Sequence, residues 1–140
     1  SETELTVARG PCFGFCPVYE IRTHGSDRVE FTGLRHTALL GKITKQVSRE
    51  AVTGVIRRLD AYRPQAGSAD FTCPIEVSDQ ASYTISWQSA DGATASQLRF
   101  NSSCQTPEGR ALRAILDDLP STFDLETEAR QLTRPGVGRG

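Results

Sequence analysis

Methionine is absent from this chain. Translation starts with one, so the expectation is that a leading segment, such as a signal peptide, has been removed. Histidine is scarce: with only His24 and His36 available as bases, and serines and threonines scattered along the chain, no nucleophile, base and acid fall into a hydrolase pattern. No stretch approaches the roughly twenty apolar residues that a membrane-crossing helix requires. Nor is there a block of one charge sign. Sixteen basic residues against seventeen acidic ones leave a formal charge of −1, which argues against electrostatic capture by nucleic acid or an anionic membrane. Phosphate loops, calcium loops and metalloprotease motifs are missing as well. Asp117 and Asp118 are neighbours on a helical pattern and do not share a face, so the expectation there is a solvated helix end rather than a paired-carboxylate site.

What the chain does contain is one domain's length, 140 residues, and four cysteines. That length supports a single ordinary core. An even number of cysteines in a short chain favours pairing in an oxidising compartment. Together with the missing start residue, this predicts an exported protein, periplasmic or secreted, with lipid anchoring before processing left open.

Two stretches alternate as hairpins and two repeat as helices. In "VYEIRTH" Tyr19, Ile21 and Thr23 share a face, "GSDR" is turn material, and Val29 and Phe31 continue on "VEFTG". A weaker strand follows in "HTALLGKITKQV". Ser48 can cap a helix through Ala61, because Val52, Val55, Ile56 and Leu59 fall on one helical face. After the loop "QAGSADFT", Tyr83, Ile85 and Trp87 alternate, with Trp87 expected in the core. Asp91-Gly92 then reads as a turn, and Leu98 and Phe100 return. A second helix starts at Thr106 with Pro107 in its first turn, presents Leu112, Ile115, Leu116 and Leu119, and is expected to end at Pro120.

The predicted fold class is α+β: an antiparallel sheet built from hairpins, with two helices packed on one face. Similar openings at "CPVYEI" and "CPIEVS" suggest two hairpin-helix halves. Thr84, Ser86 and Gln88 would lie on a polar far face able to serve as a binding surface. Residues 1–123 are expected to form the disulfide-stapled domain, and residues 124–140, charged and rich in glycine, a mobile tail that a partner could order.

The cysteines carry the functional question. Loop-closure entropy separates the two bridges. Joining Cys73 to Cys104 closes about 32 residues and stabilises by roughly 3.7 kcal/mol, whereas Cys12 to Cys16 closes about 5 and gives about 2 kcal/mol. Cys73 and Cys104 flank the second hairpin, so their bridge is expected to be structural. Three readings compete for Cys12 and Cys16. A local disulfide fixing a turn around Gly14 is the one adopted. A redox pair would want a helix N-terminus or a cation beside it, whereas "PVYEIRT" is strand-like and Arg9 is the only cation near in sequence. A metal clamp would add His24 or His36 to the two thiolates: the Cys-x-x-x-Cys-Pro stretch resembles the copper-binding loop of the synthesis-of-cytochrome-oxidase family, and soft thiolates suit Cu(I). Zinc on Cys12, Cys16, His24 and His36 has spacings unlike a zinc finger.

A broader resemblance runs through "PCFGFCPVY", "RVEFTGLRHTALLGK" and "ITKQVSREAVTGVIRRLDAY". Over about residues 3 to 120 the chain resembles domain-of-unknown-function family 6438, most specifically at Cys-x-x-x-Cys-Pro-x-Tyr, here Cys12, Cys16, Pro17 and Tyr19. The resemblance implies a small exported bacterial domain behind a signal peptide or lipoprotein signal, with no assigned reaction. Cys73 and Cys104 look like additions to that pattern, which a bridge between them would explain. The resulting expectation is an exported, non-enzymatic domain that binds a protein or cell-envelope partner without a cofactor. Thiol redox or copper handling at Cys12 and Cys16 is the alternative.

Overall fold

In a computed structural model, which describes residues 3–77, 80–89, 91 and 93–132, the alternating stretches become strands of one sheet. The strands are β1 (Glu4–Arg9), β2 (Val18–His24), β3 (Arg28–Arg35), β4 (Gly41–Gln46), β5 (Gly67–Asp70), β6 (Ser82–Gln88) and β7 (Thr94–Asn101), in the spatial order β4-β3-β2-β1-β6-β7-β5. Every pairing is antiparallel except β5 on β7, which is parallel. The class is α+β. The sheet, however, is mixed rather than purely antiparallel, and among the described residues four helices accompany it rather than two: α1 (Arg49–Asp60), α2 (Pro107–Asp117), α3 (Leu119–Thr122) and α4 (Glu126–Ala129).

The register explains the one-sided core. Val7 lies between Ile21 and Ile85; Ile21 faces Phe31, and Ile85 faces Leu98. All these side chains are buried in one cluster with Val52, Val55 and Leu59 of α1 and Leu112 and Leu116 of α2. Because strand side chains alternate, a single buried row across five strands places every helix on the same face. The other face is polar. There Thr6 donates to Gln88 (3.1 Å), Gln97 donates to Ser86 (3.0 Å) and Arg22 pairs with Glu4 (3.3 Å). Thr84, Ser86 and Gln88 fall on this side at intermediate exposure.

Both long helices start at the expected caps. Ser48 Oγ accepts from Ala51 N (3.1 Å) and Thr106 Oγ1 accepts from Gly109 N (3.0 Å), each satisfying a first-turn amide with no partner inside its helix. Pro120 does not end α2. The helix stops at Asp117, and Pro120 sits in the first turn of α3, where its missing N–H costs nothing.

Two expectations change, and one strand is additional to those expected. Strand β1 carries only two large apolar residues, Leu5 and Val7, yet it is the central strand that joins the two hairpins. The stretch "GSAD", read as loop, is the edge strand β5, exposed at all four positions. Residues 124–132, expected within a mobile tail, instead pack onto the domain. Leu125 and Ala129 are buried, Ala38 N donates to Arg130 O (2.8 Å), Leu132 N donates to His36 O (3.2 Å), and Thr37 bridges Gln131. Residues 133–140, and Gly92 of the expected Asp91-Gly92 turn, lie outside the described residues. The two hairpins flank β1, but their outer strands differ. β4 follows β3 and runs antiparallel to it, whereas β5 precedes β6 and runs parallel to β7. Among the described residues no helix is long and apolar enough to cross a membrane.

Candidate functional site

Chemistry gathers at one end of the sheet, where β1, β3 and β7 finish and β2, β4 and β6 begin. Gly10 N donates to Ser82 O (2.8 Å), turning the chain out of β1 into the loop 11–17. Cys12 and Cys16 are bridged there, with Cα atoms 5.7 Å apart. Gly14 between them has φ +137°, a conformation that L side chains rarely adopt. The bridged turn holds Phe13 almost entirely in solvent, at 89% exposure, while the Phe15 ring meets His36 edge-on at 5.1 Å. Pro17 O accepts from Arg9 Nη1 (2.8 Å), which closes the loop back onto β1. Tyr19 then enters the core beside Phe31.

The second bridge, Cys73 to Cys104, stands at the same end with Cα atoms 5.9 Å apart. It ties the loop before β6 to the N-terminus of α2, as expected from its flanking positions. Cys104 is buried in the core. Arg113 on α2 donates through Nη1 to Ser102 O (2.9 Å) and Cys104 O (3.3 Å). The loop itself is held by Val77 N donating to Ser103 Oγ (2.9 Å) and Asn101 Nδ2 donating to Val77 O (3.2 Å). Between this loop, α2 and Arg9 opens a cleft of about 780 Å³.

Two residues of that cleft's lining, Arg9 and Asp117, are joined through Tyr83, which lies outside it. Tyr83 OH donates to Asp117 Oδ1 (2.6 Å) and accepts from Arg9 Nε (3.3 Å). Burial pushes the Tyr83 hydroxyl far above its ordinary value, with the neighbouring Tyr19 and the Asp117 carboxylate adding to the shift. Burial raises Tyr19 too, against the lowering effect of Arg9. Both phenols are therefore neutral hydrogen-bonding groups at physiological pH. Arg9 and Asp117 also line a second, smaller depression with Pro17, Tyr19 and Arg130.

The residues of the alternative metal reading, Cys12, Cys16, His24 and His36, are not all brought together. His24 ends β2 on the opposite side of the sheet, beside Glu4 (3.9 Å), and a strand of that length spans about 20 Å. His36 reaches Phe15, on the turn between the cysteines. Among the described residues no group of three or more His, Cys, Asp or Glu side chains is placed to hold a metal ion. The cluster of Arg9, Tyr83 and Asp117 was not among the sequence-level candidates. Its one signal is Arg9 itself, a charge on the strand parity otherwise occupied by Leu5 and Val7.

The fold and site define a class: a small α+β domain with helices on one face of a mixed sheet, bridged twice at its loop-bearing end. The model of the family described as Domain of unknown function (DUF6438) matches residues 3–120, and the chain belongs to that family. Comparison with curated proteins gives no significant match.

Proposed function

We propose that this protein is an exported binding domain whose loop-bearing end contacts a protein or envelope partner. One observation carries the reading. All the large apolar side chains exposed among the described residues, Phe13, Phe15, Leu34, Leu40, Ile75, Val77 and Leu132, belong to segments at that end. Among the described residues the opposite end, with the β2–β3 turn and the start of α1, presents none. Isolated exposed apolar residues are ordinary, but a set gathered on one end marks an interaction surface. The two bridges stiffen the loops that present Phe13, Ile75 and Val77, which lowers the entropy lost on binding. Disulfides suit an oxidising compartment.

The redox alternative is less well supported. The strand β2, not a helix, follows Cys16, so no helix dipole stabilises a thiolate there.

A photo-crosslinking amino acid placed at Phe13, at Ile75 and, as control, at Glu50 on the opposite end tests the proposal in cells of the source organism. Discrete adducts at 13 and 75 but not at 50 are expected. Equal labelling at all three positions, or none at 13 and 75, would overturn it.

A further inference from the structure

The cleft beside Cys73–Cys104 contains two guanidinium groups whose hydrogen bonds, among the described residues, go only to neutral oxygens. Arg9 donates to Pro17 O and Tyr83 OH, and Arg113 to the carbonyls of Ser102 and Cys104. Neither makes an ion pair among the described residues. Asp117, the one carboxylate lining the cleft among those residues, accepts from Tyr83, so the described lining carries two guanidinium groups against one carboxylate. The loop before β6 contributes apolar lining: Pro74, Ile75 and Val77, with Ile75 79% and Val77 48% exposed. A volume of about 780 Å³ is that of a small-ligand site.

A half-buried guanidinium is matched best by a planar anion that takes two of its donors at once, and a carboxylate does this. The single excess positive charge among the described lining residues matches a monoanion better than a phosphate monoester carrying about −1.5 to −2. We infer that this cleft binds an apolar group ending in a carboxylate. The carboxylate meets Arg9 and Arg113, and the hydrocarbon lies against Pro74, Ile75 and Val77. Two sources share that chemistry, a free fatty acid and the C-terminal end of a polypeptide with an apolar last residue. The inference rests on the reading of the loop-bearing end as a binding surface and names what its cleft takes.

Calorimetric titration of the full chain tests it with four probes: decanoate, decanol, N-acetyl-Gly-Gly-Leu as the free acid, and the same peptide as its amide. At least one acid is expected to bind, with its neutral counterpart weaker by roughly tenfold or more, since charge-assisted hydrogen bonds contribute about 1.5–3 kcal/mol. Tighter binding of decanoate assigns the cleft to lipid-type acids, and tighter binding of the peptide acid to protein C-termini. Ile75→Asp, at an exposed position with no part in the core, is expected to weaken the acid at least tenfold while leaving the melting temperature unchanged. Arg113→Gln is expected to erase the preference for acid over neutral probe. No binding by either acid, equal binding of acids and neutral analogues, or indifference to Ile75→Asp would overturn the inference. Crosslinking at Phe13, which lies outside the cleft, would survive that failure and keep the broader reading separate.

Discussion

At Gly33 the backbone of β3 runs so close to the loop ahead of β4 that an added β carbon would lie 1.9 Å from Leu39 O and 2.5 Å from Thr37 Oγ1. Thr37 is fully buried and its hydroxyl donates to Leu39 O (2.7 Å), so neither neighbour can yield cheaply. Gly33→Ala is therefore expected to cost more than about 2 kcal/mol, at the level of an overpacked core, as read from urea unfolding. Tyr19 and Tyr83 set the behaviour at high pH. Both hydroxyls titrate above their ordinary value of 10.0 in the folded protein, chiefly because they are buried. Above that pH the unfolded chain loses phenolic protons that the native state keeps, so it binds fewer protons and stability falls as pH rises. Stability is expected to be level in this respect below about pH 10 and to decline beyond it. The Tyr19→Phe and Tyr83→Phe variants should each flatten the decline in a series of urea midpoints from pH 8 to 11.5. Nothing in the local sequence distinguishes these tyrosines from other strand aromatics, because their shift comes first from burial in the surrounding core and then from Asp117, against the opposing charge of Arg9.

At the level of elements, the two bridges have different weight. The longer loop and the burial of Cys104 both favour Cys73–Cys104 as the stabilising one. Replacing both of its cysteines with alanine is expected to lower the melting temperature by about 10 °C, from roughly 3.7 kcal/mol of loop entropy. The same change at Cys12 and Cys16 should lower it less, and a reversed order in calorimetry would refute this division of roles. The first turn of α2 packs directly on the bridge: a β carbon on Gly109 would lie 2.7 Å from Cys104 Sγ. Gly109→Ala is thus expected to destabilise the bridged protein and to cost much less once Cys104 is alanine, a coupling that a double-mutant cycle measures. The two long helices were legible because stripe and cap coincide at Ser48 and Thr106. Strand β1 was not, because Leu5 and Val7 amount to too short an alternation; its identity comes from pairing with β2 on one side and β6 on the other.

Across the whole molecule, the segment after α3 closes the core. Leu125 and Ala129 are buried, and Lys45 on β4 donates to Asp124 O (2.5 Å) and pairs with Glu128 (3.4 Å). A chain ending at Phe123 is expected to lose about 2–3 kcal/mol through exposure of Leu125 and its surroundings, which chemical denaturation of the truncated protein would show. Polar composition hid this docking, since only two of the segment's residues meet the core. What the sequence by itself determined was local: alternation in the two hairpins, capped apolar stripes in α1 and α2, and the bridged turn at Cys12 and Cys16, all of them interactions between near neighbours. Only the tertiary structure decided that β1 is central, that β5 joins parallel at the edge, and that Arg9, Tyr83 and Asp117 meet. Those groups stand 74 and 34 residues apart along the chain, and only the register of β1 on β6 and the docking of α2 bring their polar atoms within hydrogen-bonding reach.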